Sequence, residues 1–244
     1  MRAPDPARRL TDVDRRLLLK RGLSLGALTM LAGCDISDGD GVQGVLRSIN
    51  RWNERAQAWL FNAGRLAQTF GEADWARDFR YNAFFPREQA PKIAAAGYRL
   101  ELAGLVGDKR PWTYEALTAL PRESQITQHI CVEGWNMIGK WSGPRLRTFL
   151  ESVDADLTAK YVGFVCTDGY YESLDMPTVL HPQTIMAFGY GDGMLGTAYG
   201  FPFKIRVPTK LGYKQPKWVT ALYVTNQSPG GFWSDRGYNW FSGL

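Results

Sequence analysis

Gln125-Ile126-Thr127-Gln128-His129-Ile130-Cys131-Val132-Glu133-Gly134-Trp135 is the stretch on which the reading of this chain turns. Alternation through its first eight residues predicts a strand, with Ile126, Ile130 and Val132 on the apolar face and Thr127, His129 and Cys131 on the other. The Cys131 thiol then points away from the apolar side. Glu133-Gly134-Trp135 ends the strand at a glycine, where the backbone can come close to a large ligand. A cysteine in this setting reads either as a small buried hydrophobe or as a ligand. A disulfide with Cys166 is a third reading, and neither cysteine has a neighbour at zinc-ligand spacing.

Outward from this strand, Tyr98, Leu100 and Leu102 alternate with Arg99, Glu101 and Ala103, predicting a half-buried strand that turns at Gly107-Asp108. Helices are expected from Thr113 and from Pro144, the second burying Leu146, Phe149 and Leu150 at i, i+3, i+4. Tyr161–Cys166, residues 203–207 and residues 218–224 read as further strands, with turns at Asp168-Gly169, Gly191-Asp192-Gly193 and Pro208. Near the start, Ser48 is expected to cap a helix that ends near Gly64. Its Ile49, Trp52, Ala56, Trp59, Leu60 and Ala63 recur at helical spacing and are expected to pack into the core. The sum is a mixed, strand-rich α+β fold in a single domain.

Composition narrows the class. A chain of 244 residues with 45% hydrophobic and 22% charged residues is not disordered, collagen-like or a small disulfide scaffold. The formal charge of +5 invites a nucleic-acid reading, but residues 1–33 hold seven Lys/Arg against three Asp/Glu, and the remainder holds 22 against 21. The basicity therefore belongs to a leader, and no nucleic-acid partner is expected. Arg15-Arg16-Leu17-Leu18-Leu19-Lys20 followed by the short apolar stretch 23–32 reads as a twin-arginine export signal. Leu31-Ala32-Gly33-Cys34 reads as a lipobox, with Cys34 the lipidated residue of a protein held at the inner membrane of the periplasm. The expected organisation is a leader over 1–33, a flexible tether over 34–45 and one domain over 46–244.

Two features invite chemistry. Lys204, Arg206, Lys210, Lys214 and Lys217 fall within one segment free of acidic residues. They read either as a solvated basic face or, with Gly212, Pro208 and Pro216 bending the chain, as a cradle for an anion such as a phosphate. Asp168, Glu172 and Asp175 read as turn and surface residues more readily than as a catalytic carboxylate pair. The only histidines, His129 and His181, have no nucleophile motif beside them. Phosphate-loop, dinucleotide, hydrolase-elbow and zinc-protease motifs are all missing from the sequence.

Cys131-Val132-Glu133-Gly134-Trp135 with Trp141, Asp168-Gly169-Tyr170-Tyr171-Glu172-Ser173, Gly200-Phe201-Pro202, Arg206-Val207-Pro208, Leu211-Gly212-Tyr213-Lys214 and Lys217-Trp218 resemble, in order and spacing, the sulfite oxidase-type molybdopterin oxidoreductases. Phe79-Arg80-Tyr81-Asn82-Ala83-Phe84-Phe85 extends the resemblance upstream. Within that family the chain looks most similar to the exported bacterial branch that holds the methionine-sulfoxide reductase catalytic subunits. The resemblance implies the sulfite oxidase-type fold around one molybdenum-loaded molybdopterin, with Cys131 as the molybdenum ligand. It implies cofactor contacts from Asn82, Phe85, Cys166, Tyr199, Lys204, Gln215, Pro216 and Lys217. Tyr199 stands where the family has an amide and Lys204 where it has an arginine, so an amide becomes a phenol and a forked guanidinium a point charge. Tyr170 matches a tyrosine near the metal and is the expected substrate-facing hydroxyl. Arg80 and Arg145 are candidate anion contacts whose ordinary role is surface pairing.

The implied activity is oxygen-atom transfer to or from a small oxo substrate, a sulfoxide or a sulfite-like ion. The chain shows no haem domain and no C-terminal extension of the dimeric sulfite oxidases. Electrons are therefore expected to pass through a membrane haem subunit or a soluble cytochrome, and the protein is expected to be a monomer. The alternative is a lipoprotein that keeps the fold and binds a pterin without turnover.

Overall fold

The computed structural model describes residues 40–62 and 64–244; the leader and Cys34 lie outside the described residues. The chain divides after Trp52, and residues 53–244 form one compact unit that carries every described strand.

The first element, α1, runs over Asp40–Leu60. It begins upstream of the expected Ser48 cap: Ser48 sits inside the helix, where its hydroxyl donates to the Gly44 carbonyl one turn back at 2.9 Å. Part of the segment expected to be a tether is thus helical. The face expected to pack does not, for Trp52 is 71% and Trp59 81% exposed.

Five strands form the main sheet: β1 (Arg99–Gly104), β2 (Trp112–Thr113), β5 (Tyr161–Cys166), β6 (Tyr171–Asp175) and β11 (Val219–Thr225), in the order β2-β1-β11-β5-β6. Only β1 and β11 pair in parallel. The alternation read in β1 holds, with Leu100 and Leu102 buried and Arg99, Glu101 and Ala103 exposed. Those leucines join Val162, Phe164, Leu222 and Val224 in the core. Two helices close over it. In α2 (Tyr114–Thr118), Thr113 caps the N-terminus by accepting from the Ala116 N–H. In α3 (Leu146–Ser152), Leu146, Phe149 and Leu150 are fully buried, as their spacing required.

A second sheet joins β3 (Glu123–Ile130), β4 (Asn136–Gly143), β8 (Gly189–Tyr190) and β9 (Gly193–Met194) in that order, and β7 (Ile185–Ala187) pairs with β10 (Lys204–Arg206). The one-turn helix α4 (Met176–Val179) follows β6, capped by Asp175. A smaller cluster of Phe79, Trp141, Ile185, Ala187 and Leu195 packs where these strands meet. The mixed helix and strand content makes this an α+β fold.

Both faces of β3 are partly buried: Ile126, on the expected apolar face, is buried, but so is the face expected to be polar. Thr127, His129 and Cys131 are buried, whereas Ile130 is half-buried and Val132 is exposed. His129 and Cys131 line a cavity rather than an apolar core, and Thr127 accepts a hydrogen bond from Arg206.

Candidate molybdopterin site

A cavity of about 310 Å³ opens at the end of β3, within the range of small-molecule sites. Cys131 leaves the strand into a tight turn: its N–H donates to Trp135 at 2.9 Å and its carbonyl accepts from Gly134 at 3.1 Å. Gly134 takes φ +88°, a conformation glycine adopts without a Cβ penalty. Asn82 Nδ2 donates to the Cys131 sulfur at 3.3 Å. Burial pushes the thiol up, against the Glu133 backbone N–H, the Asn82 amide and Arg80, which all favour the thiolate. Cys131 and Cys166 are both free thiols, so the disulfide reading fails.

The basic segment sets the charge of this cavity. Its cations are not a solvated face: Lys204, Arg206, Lys210 and Lys214 are all buried. Three of them have partners that come from distant chain. Lys214 pairs with Glu172 at 2.6 Å, Lys210 lies 3.6 Å from Asp175, and Arg206 donates to Gln215 Oε1, Thr127 Oγ1 and the Gln128 carbonyl. Lys204 has no such partner. No carboxylate among the described residues pairs with it; its ammonium sits 4.8 Å from the Trp141 ring centre, and it lines the cavity with Lys217. Burial, Lys217 and Arg206 together hold the Lys204 amine well below its ordinary range. Burial likewise lowers Lys217 to about 8, opposed by Asp168.

Gly200 brings the two lysines together. It takes φ +115°, and a Cβ there would stand 2.9 Å from Lys217 Cβ and 3.2 Å from Lys204 Cβ. Two further polar atoms on the cavity wall lack partners among the described residues, His129 Nδ1 and Trp141 Nε1. His129 is held neutral chiefly by burial and by Lys204, and Gly212 packs so closely that a Cβ would lie 2.6 Å from its Nε2.

This donor set fits a molybdenum-loaded molybdopterin. Buried polar groups without partners are costly, and two lysines plus unpaired ring nitrogens suit an anionic, hydrogen-bonding ligand. Among the described residues no three His, Cys, Asp or Glu side chains cluster as metal ligands; Cys131 is the soft thiolate this cavity could offer to a metal that brings further ligands with its cofactor. Residues 87–233 match the oxidoreductase molybdopterin-binding domain. The chain belongs to the molybdopterin-binding oxidoreductases.

Relatives agree. The chain is 51% identical over 229 residues to a protein of Azospira oryzae provisionally named the protein-methionine-sulfoxide reductase subunit YedZ1, a match covering 94% of this chain and 87% of that one. It is 26% identical to the protein-methionine-sulfoxide reductase catalytic subunit MsrP of Burkholderia mallei, over 63% of this chain and 54% of that one. The chain thus spans about half the length of that relative. The sulfane dehydrogenase SoxCD of Paracoccus pantotrophus shares the fold, with a TM-score of 0.54 at 21% identity over 57% of this chain and 41% of that one. The protein is accordingly a molybdopterin-dependent oxidoreductase of the sulfite oxidase type.

Of the residues the sequence pointed to, Asn82, Cys131, Tyr170, Tyr199, Lys204, Gln215, Pro216 and Lys217 all line this cavity. Phe85 does not: it packs against Trp218 with ring centres 5.7 Å apart, and its neighbour Phe84 takes the cavity wall. Cys166 does not either, because β5 turns its side chain into the apolar core. The Tyr170 ring reaches the cavity, but its hydroxyl is committed elsewhere, donating to the Tyr213 carbonyl at 2.6 Å. Tyr199 likewise donates to the Phe79 carbonyl at 2.6 Å and accepts from Arg87, so its phenol braces the Phe79 segment. Gln215 lines the cavity while its amide ties together Arg206, Val207 and Lys210.

Other expectations resolve around it. Asp168 is a turn residue on the cavity wall, Asp175 is a helix cap and Glu172 belongs to a buried ion pair rather than the surface. His181 is structural, accepting from the Gln183 N–H and bonding the Arg65 carbonyl. Arg145 pairs with Glu123 at 2.7 Å, the ordinary surface role, whereas Arg80 lies over the Trp135 ring at the cavity. Sequence reasoning missed Trp233 and Tyr238 on the wall. The dense aromatics from Phe232 to Phe241, outside any strand period, were the available signal.

Proposed function

We propose that this protein reduces a sulfoxide by oxygen-atom transfer, a neutral thioether oxide being its substrate rather than sulfite. The observation that carries this reading is the character of the cavity mouth. Its exposed part is built from Phe84, Val132 and Tyr238, with Trp233 behind them, and its charges are Arg80 against Glu133 and Asp168. A dianion would meet two carboxylates there and one arginine already lying over Trp135. A methyl thioether or its oxide gains apolar contact and sulfur–aromatic contact from the same wall.

Bound molybdopterin supplies two-electron oxygen-atom chemistry. The chain's own groups do the rest. Cys131 would supply the single protein thiolate, oriented by Asn82 and the Glu133 N–H. Lys204 and Lys217 would neutralise the cofactor's anionic oxygens, and the Lys217 ammonium, which also donates to the Asn82 carbonyl, would tie the Asn82 segment to the cofactor loop. Trp135 and Trp141 would exclude water from the inner cavity. Reduction of one sulfoxide takes up two electrons and two protons and releases water, and in this reading the electrons arrive from a separate haem protein. Twin-arginine export, a periplasmic location, attachment through Cys34 and a monomeric state belong to the same proposal.

The test begins with protein exported by a host that makes the cofactor, beside Cys131→Ala. Near-stoichiometric molybdenum and pterin are expected in the parent, with a molybdenum electron paramagnetic resonance signal that disappears in the variant. With a reduced dye as donor, methionine sulfoxide should be turned over and sulfite, with an oxidising acceptor, should not. Sulfite turnover at comparable kcat/KM would overturn the substrate assignment.

A further inference from the structure

The α1 helix has a face that the molybdopterin site does not use. At 3.6 residues per turn, Val45, Ile49, Trp52, Trp59 and Leu60 fall within an arc of about 100°, and all five are exposed. Arg55 sits beside the Trp59 edge of that arc with Arg51 the next step round, both exposed, while Arg47 lies towards the opposite face. Between residues 41 and 60 the only acidic side chain is Glu54, on the opposite face. Exposed apolar side chains of this size are unfavourable in water. Among the described residues no helix is long and apolar enough to cross a membrane.

We propose that α1 lies flat on an anionic phospholipid surface, its Trp52–Trp59 face in the acyl boundary and its arginines at the headgroups. A helix of 21 residues with one apolar face, tryptophans on that face and arginines beside it has the chemistry of an interfacial helix. The arginine border complements anionic headgroups and has no use on a purely apolar partner. Position in the chain points the same way, since α1 starts six residues after Cys34, within reach of any bilayer to which that residue is attached.

The test uses cofactor-loaded protein matured to begin at residue 34 and carrying Cys34→Ser, so that no lipid is attached. It should sediment with vesicles of phosphatidylglycerol and phosphatidylethanolamine, and far less with phosphatidylcholine alone. Trp52→Glu with Trp59→Glu should lower vesicle binding at least tenfold while leaving molybdenum content and melting temperature unchanged. Replacing Arg51 and Arg55 by Gln should lower binding to the anionic vesicles on the order of 30-fold, and binding to phosphatidylcholine little. Failure of the parent to sediment, or equal sedimentation by the Trp52→Glu, Trp59→Glu variant, would overturn the proposal. So would a dimer in light scattering that the same two substitutions dissociate, which would assign the face to a second copy of the chain.

Discussion

The ends and the middle of one short segment, Lys204 to Lys217, hold their cations in opposite ways. In the middle, Lys214 and Lys210 are buried against the carboxylates of Glu172 and Asp175. At the ends, Lys204 and Lys217 face the cavity, and no ion pair joins either to a carboxylate among the described residues. Burial is similar for Lys204 and Lys214; what differs is an internal counter-charge. A buried cation with a protein partner is architecture, and one without marks where an anion binds.

The strongest way to break this comparison is to remove one member of the middle pair. Lys214→Met leaves Glu172 buried and uncompensated, and should destabilise the protein by about 3–5 kcal/mol. In calorimetry of the cofactor-free protein that corresponds to a melting temperature roughly 10 °C lower. An unchanged melting temperature would mean that the pair does not hold the fold together. At the cavity end the opposite is expected: Lys204→Met should leave the cofactor-free protein as stable as the parent or more so, because it removes a buried amine that no carboxylate compensates. The same variant should retain less than a tenth of the parent's pterin.

Titration sharpens the contrast. Lys217 is lowered in the folded state, to about 8, from its unfolded value near 10.5. Between those values the unfolded chain binds more protons at this group, so the stability of the cofactor-free protein should rise with pH from about 8 upward. Below about 8 both states carry the proton and the group adds no slope. Lys217→Met should flatten that rise in pH-dependent melting curves, and a loaded protein should lack it, because a bound anion restores the lysine's affinity for its proton. Inorganic pyrophosphate, as an anionic probe, should stabilise the cofactor-free protein less as pH passes about 8.

The two cysteines repeat the comparison on a smaller scale. Cys166→Ala should keep full molybdenum and cost about 1 kcal/mol of stability from the small cavity left in the core. Molybdenum loss in that variant would return Cys166 to the cofactor. Smallest of all, Tyr170→Phe removes a hydroxyl already spent on the Tyr213 carbonyl. It should cost about 1 kcal/mol in melting and change kcat less than tenfold. A pH profile shifted by that substitution would instead place the hydroxyl in the reaction.

Much of the fold was legible locally. The alternation of Tyr98, Leu100 and Leu102, the Thr113 cap and the Leu146, Phe149, Leu150 stripe each reflect forces acting within a few residues. The Cys131 turn was legible for the same reason, since Gly134 serves a backbone conformation only three residues away. Phe85 and Phe84 were not distinguishable, because both are phenylalanines in an irregular stretch and only packing against Trp218 chooses between them.

What the sequence alone determined, then, was the set of elements, the cysteine at the end of β3 and the gathering of cations downstream, with a family resemblance resting on those residues. What each face of β3 meets, which cations are paired and whether the α1 face is covered were decided only by tertiary structure. The reason is separation along the chain. Glu172 and Lys214 stand 42 residues apart, Thr127 and Arg206 79. Local periodicity reports that a side chain points to one side of its element, and carries no information about what waits there.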